Sequence, residues 1–222
     1  MSRLSVERSI ENIKNTYKSY IMTDNVDTKG THISWYNYKP GIITNLSYPR
    51  EYQILLDSGQ YSFLLKDNSF FQFYFQYCDE GHLKKCRLAY YPAPVFTKET
   101  AEDVMNYMDT ASDWLAEALD EVILDMIEHD TKLTQTSHLR FDYDDNVESH
   151  SKCHLQFGGI NNFRISSKVI ILPFLFVEKI LSDFCADWLE EIGMPRSREE
   201  AKAHALNNCY EFPEEDTFVI SR

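Results

Sequence analysis

An alternating run of aromatic and polar side chains constrains the fold of this chain more than any other feature. The run reads Phe71, Gln72, Phe73, Tyr74, Phe75, Gln76 and Tyr77. Because successive side chains of a strand point to opposite faces, this period of two predicts a half-buried β-strand. The Asp-Glu-Gly sequence at residues 79–81 is typical of a hairpin turn, so residues 83–91 are expected to return antiparallel to the first strand. An antiparallel sheet with one apolar face is therefore expected.

Helical patterns lie on both sides of the predicted strands. An N-terminal stretch and a later acidic stretch repeat apolar side chains every three or four positions, as amphipathic helices do. Pro173 opens a third apolar stripe of helical spacing, and proline is common in the first turn of a helix. The order helix, strands, helix, strands, helices predicts an α+β fold with an antiparallel meander or curved sheet, rather than a regular βαβ alternation.

The 222 residues are expected to form a single domain, because 43% of them are hydrophobic and the chain is long enough to bury a sizeable core. The expected segments are an N-terminal helix (1–24), antiparallel strands (32–92, with strand-like runs at 42–46 and 52–56), an acidic helical segment (98–130, with eleven acidic residues), further strands (138–172), C-terminal helices (173–209) and an acidic tail (210–222).

The composition of the chain restricts the cellular compartment and the kinds of binding partner that we expect. The five cysteines form no CxxC pair, the N-terminus has no apolar signal segment, and no apolar run reaches the length of a membrane span. These features predict a reduced, cytoplasmic protein that does not enter a membrane. The net charge of −13 argues against nucleic-acid binding by the whole surface, because phosphate binding needs basic side chains. A local basic groove, or an acidic face that meets a basic protein, stays compatible with that charge.

Candidate chemistry concentrates between residues 140 and 164, and the common phosphate-loop, nucleophile-elbow and zinc-protease motifs are absent from the sequence. Alternate side chains of a strand share a face, so each of two expected strands has an apolar and a polar face. If the strands pair as a hairpin across residues 145–149, His154 or Lys152 lies near Asp142. The polar faces are expected to carry Arg140, Asp142 and Asp144 on the first strand and Lys152, His154 and Gln156 on the second.

This arrangement suggests an acid–base site. His154 is the candidate acid or base, Asp142 is its orienting partner, and Arg140 lies beside them, because a carboxylate orients an imidazole and stabilises its charged form. Arg140 and Arg164 are candidate phosphate ligands through bidentate contacts. The remaining candidates for substrate binding are Lys152, Gly158 and Gly159. The two glycines would let a substrate approach the backbone closely.

Simpler interpretations of the same residues stay open. Arg140 and Asp142 could form an ion pair without function, and Gly158 and Gly159 could merely turn the chain. Alternatively, Asp142 and Asp144 with His150 or His154 could ligate Mg²⁺ or Mn²⁺, the only cofactors that the sequence suggests.

Short motifs in this part of the chain resemble the bacterial domain-of-unknown-function family 2290. The similar segments are Phe63 to Asp67, Arg87 to Pro92, Arg140 to Asp144, Ser151 to Leu155 with Gly158, and Arg164-Ile165 leading to Pro173. The resemblance extends from residue 61 to residue 189. It implies a shared fold, a bacterial cytosolic origin, and arginine, aspartate and histidine positions that belong together.

A second pattern is similar to TumE-type toxins of bacterial toxin–antitoxin pairs, which have an Arg-aromatic-Asp strand followed by clustered histidines. Arg140, Asp142, His150 and His154 match that pattern, whereas Cys153 stands where those toxins have a doubled histidine.

Three functional hypotheses follow. The first is a component of an anti-phage defence or toxin–antitoxin system that acts on nucleic acid or a nucleotide, as a nuclease-like or other phosphoester hydrolase. The second is a non-catalytic partner whose acidic helix and tail dock a basic nuclease or toxin encoded by a neighbouring gene. The third is a metal-dependent hydrolase.

Overall fold

The structure is a computed structural model that describes residues 1–40, 47–94, 137–158 and 164–211, together with residues 102, 105, 106, 120–124, 127 and 128. The helices with defined bounds are α1 (Arg3–Thr16), α2 (Tyr48–Asp57), α3 (Pro173–Phe184), α4 (Ala186–Ile192) and α5 (Arg196–Asn207). The strands are β1 (Ile21–Asp24), β2 (Val26–Asp27), β3 (His32–Trp35), β4 (Phe63–Leu65), β5 (Phe70–Tyr77), β6 (Leu83–Tyr91), β7 (Leu139–Asp144), β8 (Cys153–Phe157), β9 (Arg164–Ser166), β10 (Val169–Ile170) and β11 (Tyr210–Glu211).

One antiparallel sheet organises the fold. Its strands follow the order β1-β4-β5-β6-β7-β8-β9, and β3 pairs with the far end of β5 beside β4. Strands β6 and β7 are neighbours although residues 92–138 separate them in sequence, and β7 and β8 form the hairpin expected from the sequence. The predicted α+β class, with an antiparallel sheet packed by helices, is confirmed.

One face of the sheet builds the main core. Aromatic side chains from the predicted alternation in β5 are fully buried on this face, where α1, α3 and α5 cover it. Each buried aromatic or aliphatic side chain contributes roughly 1.5–3 kcal/mol relative to exposure, so the alternation fixes which face turns inward. The core residues contributed by the central strands are Phe71, Phe73, Phe75, Tyr77, Cys86, Leu88, Tyr90, Phe141 and Cys153.

A buried ion pair ties the core helices together. The carboxylate of Glu178 in α3 accepts hydrogen bonds from Nε (2.8 Å) and from Nη2 (3.1 Å) of Arg198 in α5. Tyr17, just after α1, donates its hydroxyl proton to the same carboxylate. Burial, followed by this carboxylate, raises the pKa of Tyr17 well above its ordinary value. The three groups therefore link three segments through one buried acceptor.

Helix α2 packs on part of the opposite face, and it corrects one expectation. Residues 52–56 were expected to be strand-like, but they are helical. Tyr48, Tyr52 and Leu55 recur at spacings of four and three and bury one helical stripe against the sheet. Pro49 lies in the first turn, where a missing backbone N–H costs least. The strand-like run at residues 42–46 lies outside the described residues.

The C-terminal helical stripe is interrupted in the structure, and only part of the acidic helical segment is described. The expected stripe from Pro173 to residue 192 is two helices, because Cys185 takes a non-helical backbone conformation between α3 and α4. Of the acidic segment, residues 102, 105, 106, 120–124, 127 and 128 are helical, and its other residues lie outside the described part, as does most of the acidic tail.

Within the described ranges, no helix is both long enough and apolar enough to cross a bilayer.

Candidate functional site

The sheet face opposite the main core, which we call the polar face, brings the predicted site residues into two rows. Directly opposite residues on neighbouring strands share a face, with Cβ atoms roughly 4.5–5.5 Å apart. The first row runs Tyr74, Arg87, Asp142, His154 and Ser166 across strands β5 to β9. The second row runs Gln72, Ala89, Arg140, Gln156 and Arg164 across the same strands.

Asp142 is the centre of this face. It is 9% exposed, and its two carboxylate oxygens accept separate hydrogen bonds. Oδ1 contacts Nε of Arg87 at 3.0 Å, and Oδ2 contacts Nε of Arg140 at 2.7 Å. Burial alone would raise the pKa of the Asp142 carboxyl, but the two guanidinium groups outweigh it and hold that pKa below the ordinary value. Asp142 is therefore an ionised anchor between two arginines.

His154 is the most buried polar group of the row, at 4% exposure. Its Nδ1 lies 3.1 Å from the carbonyl oxygen of Ser151, so Nδ1 carries the proton and donates it there. Its Nε2 lies 3.3 Å from the side-chain amide of Gln156. Turning that amide over lets the Gln156 nitrogen donate to Nε2 while its oxygen accepts from Arg140. Burial lowers the pKa of His154, although the Ser151 carbonyl and Asp142 oppose the shift.

The expected histidine–carboxylate pair is only partly formed. Asp142 and His154 are direct cross-strand neighbours, as the hairpin predicted. The carboxylate, however, is bonded to Arg87 and Arg140, and the ring nitrogens of His154 face Ser151 and Gln156. Asp142 thus orients arginines in this structure, and the catalytic roles assigned to His154, Asp142 and Arg140 stay predictions.

The remaining polar candidates lie at the hairpin end. Asp144 pairs with Lys85 at 2.8 Å, and Lys152 contacts Asp145 at 3.5 Å. His150 is exposed, with its Nδ1 2.9 Å from the Ser151 carbonyl. Among the described residues, no group of three histidine, cysteine or acidic side chains is placed to hold a metal ion. The expected metal set of Asp142, Asp144 and His150 is therefore not assembled there.

Gly158 has a packing role that the sequence did not reveal. Its backbone N–H donates to the His138 carbonyl at 3.0 Å, and a Cβ atom at this position would lie 2.6 Å from Cε1 of the His138 ring. Only a residue without a side chain fits so close to that ring. Gly158 therefore allows β8 to pass beside His138, and Gly159 lies outside the described residues.

Helix α2 and the start of β7 place a second polar cluster beside the two rows. Nδ1 of His138 lies 3.6 Å from a carboxylate oxygen of Glu51, and the hydroxyl of Tyr91 donates to the same carboxylate at 3.3 Å. The rings of Tyr91 and His138 lie 4.9 Å apart. Burial, followed by Glu51, raises the pKa of Tyr91 above its ordinary value. This cluster borders the row that contains Arg140.

Arg87 is the site residue that sequence reasoning missed. It lies in the predicted second strand of the first hairpin. Strand alternation turns its side chain to the face opposite the one on which Cys86 and Leu88 are buried. That signal was present, but its partner Asp142 is 55 positions further along the chain. Arg164 was named from the sequence, and it is exposed and pairs in register with Gln156.

The chain thus combines an α+β fold with an arginine–aspartate cluster on one face of its sheet. The family model described as "Uncharacterized conserved protein (DUF2290)" matches residues 15–221. The chain therefore belongs to the DUF2290 family, and the match extends beyond the residues 61–189 in which the resemblance was first apparent. Comparisons with curated proteins and with solved structures gave no match. The likeness to TumE-type toxins stays a prediction.

Proposed function

We propose that the polar face binds phosphate groups of a nucleic acid or nucleotide through Arg87, Arg140 and Arg164. The observation that carries this proposal is the buried Asp142 carboxylate, which holds Arg87 and Arg140 through their Nε atoms on one face of a rigid sheet. Guanidinium groups offer planar, bidentate donors that match phosphate oxygens. Two arginines flank the Asp142 carboxylate, and Arg164 adds a third positive charge to the second row, so the two rows together carry a net positive charge.

Preorganisation supports binding at this position. An immobilised long side chain costs about 0.5–1.5 kcal/mol of ordering when a ligand fixes it. Asp142 has already fixed two arginines before any ligand arrives, and Gln156 contacts Arg140 from the neighbouring strand. The side chain of Arg87 is 45% exposed and that of Arg140 24% exposed. Both guanidinium groups are therefore oriented and still partly accessible to an anion.

Binding is better supported than catalysis. A general base needs an accessible ring nitrogen within hydrogen-bond reach of a substrate. The ring of His154 is almost completely buried, and both of its nitrogens face protein groups. A hydrolase activity of His154 and the setting in a bacterial defence or toxin–antitoxin system remain predictions from the sequence. The proposal itself concerns the arginine cluster.

The test measures binding of ATP, and of a fluorescein-labelled mixed-sequence oligonucleotide, to the parent chain and three variants at low salt. Arg164→Gln removes an exposed arginine outside the Asp142 cluster. Arg87→Gln removes one arginine of that cluster. Arg196→Gln is the control with the same change of charge, since the Arg196 side chain is 90% exposed and lies on α5, which packs on the core face of the sheet.

Hydrogen bonds between charged groups are worth about 1.5–3 kcal/mol, so Arg164→Gln and Arg87→Gln are each expected to weaken binding roughly 10- to 150-fold. Arg196→Gln should bind like the parent. The proposal is wrong if the parent binds neither probe, or if Arg87→Gln and Arg164→Gln are folded and bind as tightly as Arg196→Gln. Urea unfolding of each variant separates lost binding from lost structure.

A further inference from the structure

An aromatic stack stands beside the arginine rows on the polar face. The rings of Tyr38 and Tyr74 lie 4.9 Å apart and are stacked, with 26° between their planes. The ring of His32 on β3 lies 5.8 Å from the Tyr74 ring and is tilted from it by 44°. Tyr74 is the direct cross-strand neighbour of Arg87. A partly exposed aromatic surface therefore adjoins the first arginine of the row.

The position of Tyr38 is fixed by a buried glutamine. Gln60 is completely buried, and its Oε1 accepts hydrogen bonds from the backbone N–H of Lys39 (3.0 Å) and from the indole of Trp35 (3.1 Å). Its Nε2 donates to the carbonyl of Asn37 at 2.9 Å. These bonds hold the backbone on both sides of Tyr38.

Local conformation adds to this restraint. Asn37 adopts a positive φ of 59°, which asparagine tolerates better than most residues, and this turns the chain so that Tyr38 folds back over β5. The Trp35 ring meets Tyr38 edge-on at 5.0 Å. Despite these contacts, Tyr38 and Tyr74 both stay partly exposed. The stack is thus rigid and accessible at once.

The aromatic stack and the arginines follow one another across the sheet. Neighbouring strands are about 4.8 Å apart, so β5, which carries Tyr74, and β9, which carries Arg164, are about 19 Å apart across the sheet. Arg87 and Arg140 lie between these ends, on β6 and β7. A surface that presents rings and then cations over this distance suits a ligand in which bases and phosphates also follow one another.

We infer that the polar face binds single-stranded nucleic acid. A base stacks on the Tyr38–Tyr74 pair, the neighbouring phosphate contacts Arg87 and Arg140, and a later phosphate reaches Arg164. Single strands are the fitting class because their bases are free to leave one another and stack on aromatic side chains, whereas duplex bases are hidden. This inference rests on the proposed phosphate binding and adds the recognition of a base.

Four fluorescein-labelled oligomers of equal length test the inference: single-stranded DNA, single-stranded RNA of the same sequence, an abasic strand with the same phosphates, and the DNA duplex. Each is titrated with the parent chain, Tyr38→Leu, and the control Tyr36→Leu, in which an exposed tyrosine outside the stack is replaced. Circular dichroism and urea unfolding confirm that the variants fold.

Stacking on an aromatic side chain is worth enough to change the affinity roughly 5- to 150-fold per base. The parent is therefore expected to bind DNA or RNA single strands that much more tightly than the abasic strand or the duplex. Tyr38→Leu should lose that advantage and bind the abasic strand like the parent, and Tyr36→Leu should behave like the parent throughout.

The outcomes separate the two proposals. Equal binding of the abasic strand and the normal single strand, unchanged by Tyr38→Leu, overturns the base recognition and leaves phosphate binding standing. Tighter binding of the duplex than of either single strand also overturns it. Absence of binding to all four oligomers overturns the inference, and it overturns the phosphate-binding proposal as well if ATP also fails to bind. A preference for RNA over DNA, or the reverse, supports the inference and identifies the sugar.

Discussion

Replacing Asp142 by asparagine tests the central feature of the site, the ionised carboxylate between Arg87 and Arg140. The substitution keeps the shape of the side chain and removes its charge. One oxygen acceptor remains, and the new amide N–H groups face donors of at least one guanidinium group. Two neighbouring cations are then left without the anion that lies 3.0 and 2.7 Å from their Nε atoms.

The magnitude follows from burial. Breaking a fully buried ion pair by removing one partner costs about 3–5 kcal/mol. The Asp142 side chain is 12% exposed, but those of Arg87 and Arg140 are 45% and 24% exposed, so water compensates part of the loss. We therefore expect Asp142→Asn to lower the free energy of unfolding by about 2–3 kcal/mol at pH 7. For a chain of this size that corresponds to a decrease in Tm of about 5–10 °C.

The effect depends on pH in a defined direction. The folded-state pKa of Asp142 lies below its unfolded value of about 3.9, so its stabilising contribution is complete above the unfolded pKa and is lost as the pH falls through the folded pKa. The difference in stability between parent and Asp142→Asn should thus be constant from pH 7 to about pH 5. It should shrink below about pH 4.

Urea unfolding followed by tryptophan fluorescence measures both quantities. Adding Arg87→Gln to Asp142→Asn should cost less than Arg87→Gln costs in the parent, because one of the two uncompensated cations is removed. The reasoning is refuted if Asp142→Asn is within about 0.5 kcal/mol of the parent at pH 7. Strict additivity of the two substitutions would also contradict it.

Three further substitutions have defined outcomes. Gly158→Ala should destabilise the fold by about 1–3 kcal/mol, because its Cβ would lie 2.6 Å from the His138 ring, and an unchanged urea midpoint would show that the ring moves aside at no cost. Glu178→Gln should cost about 3–5 kcal/mol in urea unfolding by leaving Arg198 buried without its carboxylate, and a loss comparable with that of an exposed pair would contradict the role of burial. The depressed pKa of His154 means that the unfolded state takes up protons first, so stability should rise with pH in the window below about 6.5, and His154→Gln should flatten that rise in unfolding measured at several pH values.

Local periodicity predicted the strands well because their two faces differ chemically. The alternation in β5 and the polar and apolar positions of β7 and β8 each follow a period of two, and burial of one face leaves a single register. The β7–β8 hairpin was therefore expected with Asp142 near His154, and the strands pair in that way. The prediction for residues 52–56 was wrong because aromatic and aliphatic residues also favour β-strands. The helix is stabilised instead by packing of its side chains on β5 and β6, which lie elsewhere in the sequence.

The candidate site was predicted only where its residues are close in sequence. Arg140, Asp142 and His154 belong to one hairpin, so their shared face could be inferred. Arg87 reaches Asp142 through the β6–β7 pairing, and Glu51 reaches its neighbours through the packing of α2 on the sheet. Such long-range neighbours carry no local signal. The assignment of Asp142 to a histidine therefore lacked one of its two arginine partners, Arg87.

The pairing of β6 with β7 has a consequence for how the charge of this protein is distributed. The chain leaves the sheet after Tyr91 and returns at Leu139 to the adjacent strand, where Tyr90 and Leu139 are direct partners. Residues 95–136, which we call the insertion, therefore lie in the sequence between two strands that are neighbours in the middle of the sheet. They include eleven acidic and two basic side chains, so nine of the thirteen excess negative charges of the chain reside in this insertion.

The rest of the chain is therefore close to charge balance, and the acidic isoelectric point describes mainly the insertion. Because antiparallel neighbours need only a tight turn between them, the length and charge of the insertion can vary without altering the strand order. The electrostatic character of the sheet and that of the whole protein are accordingly separate properties.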